Sequence, residues 1–226
     1  MVSMTKRILV TIAASAVLAL LAAGAAWARI IELGATASPS APSCPSSPCL
    51  VVARTGGFQF TNGGRRNPFK VSRTGRIVAF TVTLGTPTKR QIQGLDQQSG
   101  GSARARIAIL KPVRSKKAGQ VLYQLNAQSN DFQLEKFFGQ TVQFPLYTSL
   151  LVRKGYQVAL TVPTWAPVLS VSGLDNGFSW RSSRVKPCST NPERQPPQTA
   201  PGSTRQYFCT YRPARLTYSA TMITSP

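Results

Sequence analysis

The chain has 226 residues, with 27 Lys and Arg against six Asp and Glu, no His, and a formal net charge of +21. Without an imidazole, Ser-His-Asp and Cys-His nucleophiles are excluded, and so are the common His-bearing zinc and haem sites. The charge speaks to association with polyanions and says nothing of fold.

Lys6 and Arg7 precede an apolar run from Ile8 to Leu21, and Ala26-Trp27-Ala28 supplies a small-x-small pattern before Arg29. That is the layout of a secretory signal peptide over residues 1–28. An uncleaved anchor is the other reading, because Ile8 to Trp27 is about long enough to cross a bilayer. Thr11, Ser15 and the Ala/Gly-rich tail from Ala22 weaken such a span. The expectation is a secreted protein, extracellular or cell-wall associated, touching a membrane only if the signal is kept.

From Ala35 to Pro48 the chain is nearly all Ala, Ser, Thr and Pro, a composition that buries no core. Residues 29–48 are therefore expected to form a tether and residues 49–226 the folded domain. Cys44, Cys49, Cys188 and Cys209 are an even count in an exported chain, read as two disulfides. The economical pairing is local, Cys44 with Cys49 and Cys188 with Cys209. Closing the second loop should add roughly 3 kcal/mol. A four-cysteine zinc site lacks CxxC spacing and sits in the wrong compartment, so no metal and no cofactor is expected.

Beyond Cys49 the dominant period is two. Val78, Phe80, Val82 and Leu84 alternate with smaller or polar residues; so do Tyr156, Val158, Leu160 and Val162, and Leu216, Tyr218 and Ala220. These read as half-buried strands. Shorter candidates are 50–53, 57–60, 106–110, 121–125, 141–144, 150–153, 178–181 and 207–211. Asn62-Gly63-Gly64 is the strongest turn signal. Only residues 131–138 look helical, with Asp131 and Glu135 on one face, Ser129 to Asp131 as caps and Gly139 as a stop. The predicted class is all-β, an antiparallel β-sandwich or jelly roll with one short helix.

Residues 151–162, Leu-Val-Arg-Lys-Gly-Tyr-Gln-Val-Ala-Leu-Thr-Val, resemble the strand, Lys-Gly turn, strand element of jelly-roll domains of the galactose-binding type. Tyr156 stands where an Asp is frequent in that element, which removes a structural carboxylate. As a whole the chain is similar to uncharacterised exported bacterial β-sandwich proteins, which implies a compartment and a fold but no activity.

Glycoside hydrolysis needs only two carboxylates, and Asp96, Asp131, Glu135, Asp175 and Glu193 are available. Calcium bound through Asp96 and Asp175, each in a Gly-Leu-Asp sequence, would need more converging oxygens than two loops offer. Binding features are richer. Between Gly57 and Arg76, Arg65, Arg66, Lys70, Arg73 and Arg76 accompany Phe58, Phe60 and Phe69 with no acid. Arginine offers forked donors to carboxylate, sulfate or phosphate, although the phenylalanines also fit strand cores. Trp165 and Trp180 could present flat faces to sugar rings, or pack inside.

The sequence thus points to a non-enzymatic, basic β-sandwich that binds an anionic polysaccharide or cell-wall polymer. Export argues against nucleic acid as its physiological partner. The alternatives are a structural or interaction protein with incidental charge, and a carbohydrate-active enzyme using paired carboxylates. Intact-mass analysis of exported protein is expected to place the mature N-terminus at Arg29. A retained leader would favour the anchor reading.

Overall fold

The computed structural model describes residues 28–36, 40–115, 117, 120–185, 188 and 196–225. The proposed leader up to Trp27 and Glu193 lie outside them. The unit described below is Ile30–Ser225. Among the described residues no helix is long and apolar enough to cross a membrane.

The unit is an all-β antiparallel sandwich. One sheet orders β1 (Ile30–Leu33), β15 (Tyr218–Thr224), β4 (Gly75–Thr83) and β8 (Thr141–Val152) side by side. The other follows the path β12 (Thr204–Gln206), β6 (Leu122–Gln128), β5 (Arg104–Val113), β9 (Gln157–Ala166), β2 (Val52–Asn62), β11 (Ser179–Ser182), β13 (Thr210–Tyr211). Two short strands, β3 (Arg65–Arg66) and β7 (Phe132–Gln133), add to β2 and β5, and β10 (Leu169–Ser170) pairs β14 (Arg215–Leu216) as a separate ribbon. Ile77, Phe80 and Val82 of β4 and Tyr218, Ala220 and Met222 of β15 pack with Ile107 and Ile109 of β5 and Val158, Leu160 and Val162 of β9. These are the inward residues of period-two strands.

The larger sheet cannot be flat. Its two path ends, β12 and β13, are joined by residues 207–209 alone. A flat seven-strand path would set those edges about 29 Å apart at ~4.8 Å per strand. The link from Gln206 to Thr210 reaches at most about 14 Å. The sheet therefore curls towards a barrel, and Phe58, Ala108, Leu110, Leu125, Ala159 and Tyr207 form a second core on its concave face. This is why Gln157, Ala159 and Thr161, expected on a solvated face of β9, are buried.

Two glycines follow from that curl. A Cβ on Gly57 would lie 2.7 Å from the Trp180 ring and 2.8 Å from the Arg181 carbonyl, which forbids a side chain there. One on Gly56 would meet Tyr207 Oη and Thr161 Oγ1 at 3.3 Å. The closing segment is held by Ser182 N–H donating to the Cys209 carbonyl at 2.9 Å, and by the Cys188–Cys209 disulfide, Cα–Cα 5.5 Å. The second disulfide joins Cys44 and Cys49 across 4.4 Å. Both expected pairings are thus present, and no described cysteine is free.

Three expectations are corrected. The stretch expected as a tether, 29–48, contributes β1, which pairs with β15, and a disulfide turn whose Ser43 N–H donates to the Leu169 carbonyl at 2.7 Å. Its sparse apolar residues suffice because an edge strand needs only one covered face. The helix expected at 131–138 is β7 followed by a 3-10 turn at Glu135–Phe137. Phe132 is drawn to the Phe80 and Phe144 rings at 5.3 and 5.1 Å, which favours strand pairing with β5. Among the described residues the α-helix is α1, Lys89–Ser99, started by a reciprocal Thr88–Gln91 capping box and stopped by Gly100 at φ 80°. The Thr-x-x-Gln signal was in the sequence, but α1 offers few apolar residues to a periodicity count.

Helix α1 is fastened to β9 by fully buried Trp165, whose Nε1 donates to Asp96 Oδ1 at 2.7 Å. Asp96→Ala would strand that donor, at about 1–3 kcal/mol. The expected outcome in thermal unfolding is a midpoint lowered by about 3–10 °C, with Asp96→Asn, which keeps an acceptor, recovering most of it. A second outcome concerns alkali. Burial pushes the Tyr207 and Tyr218 phenols up, so the folded state holds them neutral above the ordinary value near 10. Their contribution is complete below about pH 10 and is lost as pH rises towards the folded values. Urea unfolding should show stability falling above about pH 10, and less steeply in Tyr207→Phe.

Candidate functional site

The cations of residues 57–76 do not form one patch. Arg65 and Arg66 are exposed on β3, across the Gly63-Gly64 turn from Thr61 and Asn62. Both glycines have positive φ, 57° and 81°, as this two-residue hairpin requires. Gly64 N–H donates to the Gly177 carbonyl, and Asp175 Oδ1 accepts from Gly177 N–H at 2.8 Å. A carboxylate therefore stands beside this hairpin and dilutes its field.

Lys70 and Arg73 lie elsewhere, on the connection that crosses from the curled sheet to β4. Val71 N–H donates to the Tyr156 carbonyl and Gly155 N–H donates back to the Val71 carbonyl, both at 2.8 Å. Lys154 N–H donates to Thr74 Oγ1 at 3.4 Å, and Lys70 bridges to Gln157. These bonds lock the 70–74 connection onto the tight turn between β8 and β9, where Gly155 at φ 88° permits the reversal. Lys70, Arg73, Arg153 and Lys154 are thereby brought to one end of the sandwich, all exposed. Arg76 departs from them onto the outer face of the smaller sheet, where Nε donates to Ser149 Oγ at 2.7 Å and Nη2 to the Ser149 carbonyl at 2.9 Å.

In the sequence the Lys154-Gly155 pair reads first as a turn, so Arg153 and Lys154 do not stand out beside Lys70 and Arg73. They lie about 80 residues from their partners in sequence, and only the cross-connection hydrogen bonds reveal the cluster. Among the described residues the one ion pair is Arg106 with Asp131, Nε to Oδ1 at 2.5 Å. The four clustered cations therefore face water without a described carboxylate partner.

The aromatic half of the expected site is overturned. Phe58 and Phe69 are core residues at 1% exposure, and Phe60 lies beneath the Arg181 guanidinium, 4.1 Å from ring centroid to Cζ. Trp165, at 0% exposure, is spent on Asp96 and on the Phe138 ring. Trp180, at 5%, covers Gly57 and stacks on Tyr211 with ring centroids 4.6 Å apart. Neither indole face is open to a pyranose ring, because the curled sheet needed both rings as filler.

The carboxylates are fastened one by one. Asp96 sits on α1 and accepts from Trp165, so it is in a helix and not in a loop. Asp131 takes two bonds from Arg106, at 2.5 and 2.9 Å. Glu135 Oε1 accepts from Ala103 N–H at 3.4 Å, and Glu32 accepts from Ser219 and Thr221. No three His, Cys, Asp or Glu side chains converge among the described residues. Each described carboxylate thus has a structural employment at its own element, which offers the paired-acid reading no support.

Comparison with protein-family models, with curated proteins and with solved structures finds no match for this chain, so its own geometry carries the functional reading.

Proposed function

We propose that this chain is an exported, disulfide-braced binding module that holds anionic polymers, of the cell-wall or capsular polysaccharide class, at its basic end. The observation that carries the reading is the juxtaposition of Lys70, Arg73, Arg153 and Lys154 on backbone locked by reciprocal hydrogen bonds, with no described carboxylate paired to them. Two disulfides fit an oxidising compartment, where such polymers are met.

The physics is that of a polyanion on a charged surface. A single exposed ion pair contributes about 0–1 kcal/mol, so affinity comes from several contacts at once and from counterions released by the polymer. Arg73 and Arg153 supply forked donors to carboxylate or sulfate, while the lysines act as point charges. A rigid turn keeps the entropy cost of assembling the four charges low. Arg65 and Arg66 extend the field along the neighbouring hairpin, tempered by Asp175.

The test is a matched charge reversal. Lys70, Arg73, Arg153 and Lys154 are changed together to Glu, and the control changes exposed Lys89, Arg90, Lys111 and Arg114 in the same way, so net charge is equal in both. Binding to polygalacturonate is followed by calorimetry at low and physiological salt. The expected outcome is loss in the first variant only, by about tenfold or more, with a steep decline in affinity as salt rises. Equal loss in both would assign the binding to diffuse charge, the behaviour of an interaction protein whose charge is incidental.

A further inference from the structure

A cavity of about 510 Å3 opens where β2 begins, between the β10–β14 ribbon and the β11–β13 edge of the curled sheet. Leu50, Val52, Leu169, Val171, Trp180 and Tyr211 wall it, and Arg184, Thr210 and Arg212 supply its polar groups. That volume and that lining, apolar with a few placed polar groups, are those of a small-molecule site. Its location is distinct from the 70–74 connection and the β8–β9 turn.

The wall selects the ligand by chemistry. Trp180 and Tyr211 stack on each other, which takes one face of each ring, and the rest of the apolar lining is mainly aliphatic. A flexible chain fits such a lining better than a planar ring. Arg184, only 8% exposed, is held in the wall, its Nη2 donating to the Ala53 carbonyl at 2.8 Å, while Arg212 stands exposed at the rim. Both charges are positive, and no Asp or Glu among the described residues lines the cavity.

We propose that this cavity binds a single-chain acyl carboxylate, the chain lying along Leu50, Val52, Leu169 and Val171 and the carboxylate meeting Arg212 at the rim. The chain gains by leaving water, and the head gains charge-assisted hydrogen bonds that a neutral or cationic head cannot make. The site is independent of polymer binding at the basic end.

Calorimetry on the folded, exported protein tests this with three ligands of one chain length: decanoate, decanol and decyltrimethylammonium, each below its micelle threshold. Expected are saturable one-to-one binding of decanoate, binding of decanol weaker by about tenfold, and no binding of the cation. Arg212→Gln should weaken decanoate by about five- to tenfold and leave decanol unchanged. Leu50→Trp at the rim and Val171→Trp deeper in the wall both fill the space and should abolish binding; the rim variant guards against a folding defect in the other. Charge reversal at Lys70, Arg73, Arg153 and Lys154 should leave decanoate binding intact. Failure of decanoate to saturate, equal affinity for decanol, or full binding in folded Leu50→Trp would each overturn the proposal.

Discussion

Three residues, Tyr207, Phe208 and Cys209, hold together the two ends of a seven-strand path, and much of the structure depends on that short link. Because it is too short to cross a flat sheet, the sheet curls, and a curled sheet acquires a concave face that must be filled. Tyr207 fills it, with Phe58 stacked at 5.6 Å and Tyr123 edge-on at 5.3 Å. Its hydroxyl donates to Gln198 at 3.1 Å, so burying the phenol leaves no orphaned donor. The Cys188–Cys209 disulfide ties the same link to the polypeptide that precedes it, which places the cross-link where the chain has least slack.

The curl also sets the chemistry of the surface. With both faces of β9 enclosed, the large aromatic residues are consumed as filler, and the tryptophans are withdrawn from solvent. Few acids are available, and the described ones cap, pin or brace individual elements. What remains outside is a strong excess of cations. A protein built in this way has little means of gripping a sugar by stacking and ample means of gripping an anion by charge. The four-cation end and the arginine-flanked cavity are two expressions of that imbalance, one suited to a polymer and one to a small amphipathic acid.

Arginines inside the fold obey a different rule. Burial lowers the pKa of Arg181 and Arg215, yet guanidinium starts so high that it stays charged. Arg181 answers this with Phe60 and the neighbouring Tyr123, and Arg215 with Ser40 Oγ at 2.9 Å. These cations stiffen the interior and are not part of the exposed field. Counting every Lys and Arg as surface charge therefore overstates what a polymer would meet.

Strand identity was legible because period two is local: β4, β9 and β15 carry it openly. Its phase was not always legible. In β4 a bulge between Ile77 and Ala79 lets Ile77 face the core, while Val78, expected there, is only half-buried. The Gly63-Gly64 hairpin and both disulfides were legible for the same local reason, since few residues separate the partners or a turn lies between them. Helix α1 was hidden because its stability rests on caps and on a distant indole, neither of which produces an apolar stripe.

By itself, then, the chain marked its main strands, its turns, the economical cystine pairing and its charge, all of which depend on neighbours in sequence or on composition. Tertiary structure alone decided which face of β9 is dry, which tryptophans are covered, and which cations meet. Those depend on strand order and on the reach of a three-residue link. Residues 70–73 and 153–154 become neighbours only when the β8–β9 turn hydrogen-bonds to the crossing connection, a pairing with no period or motif to announce it.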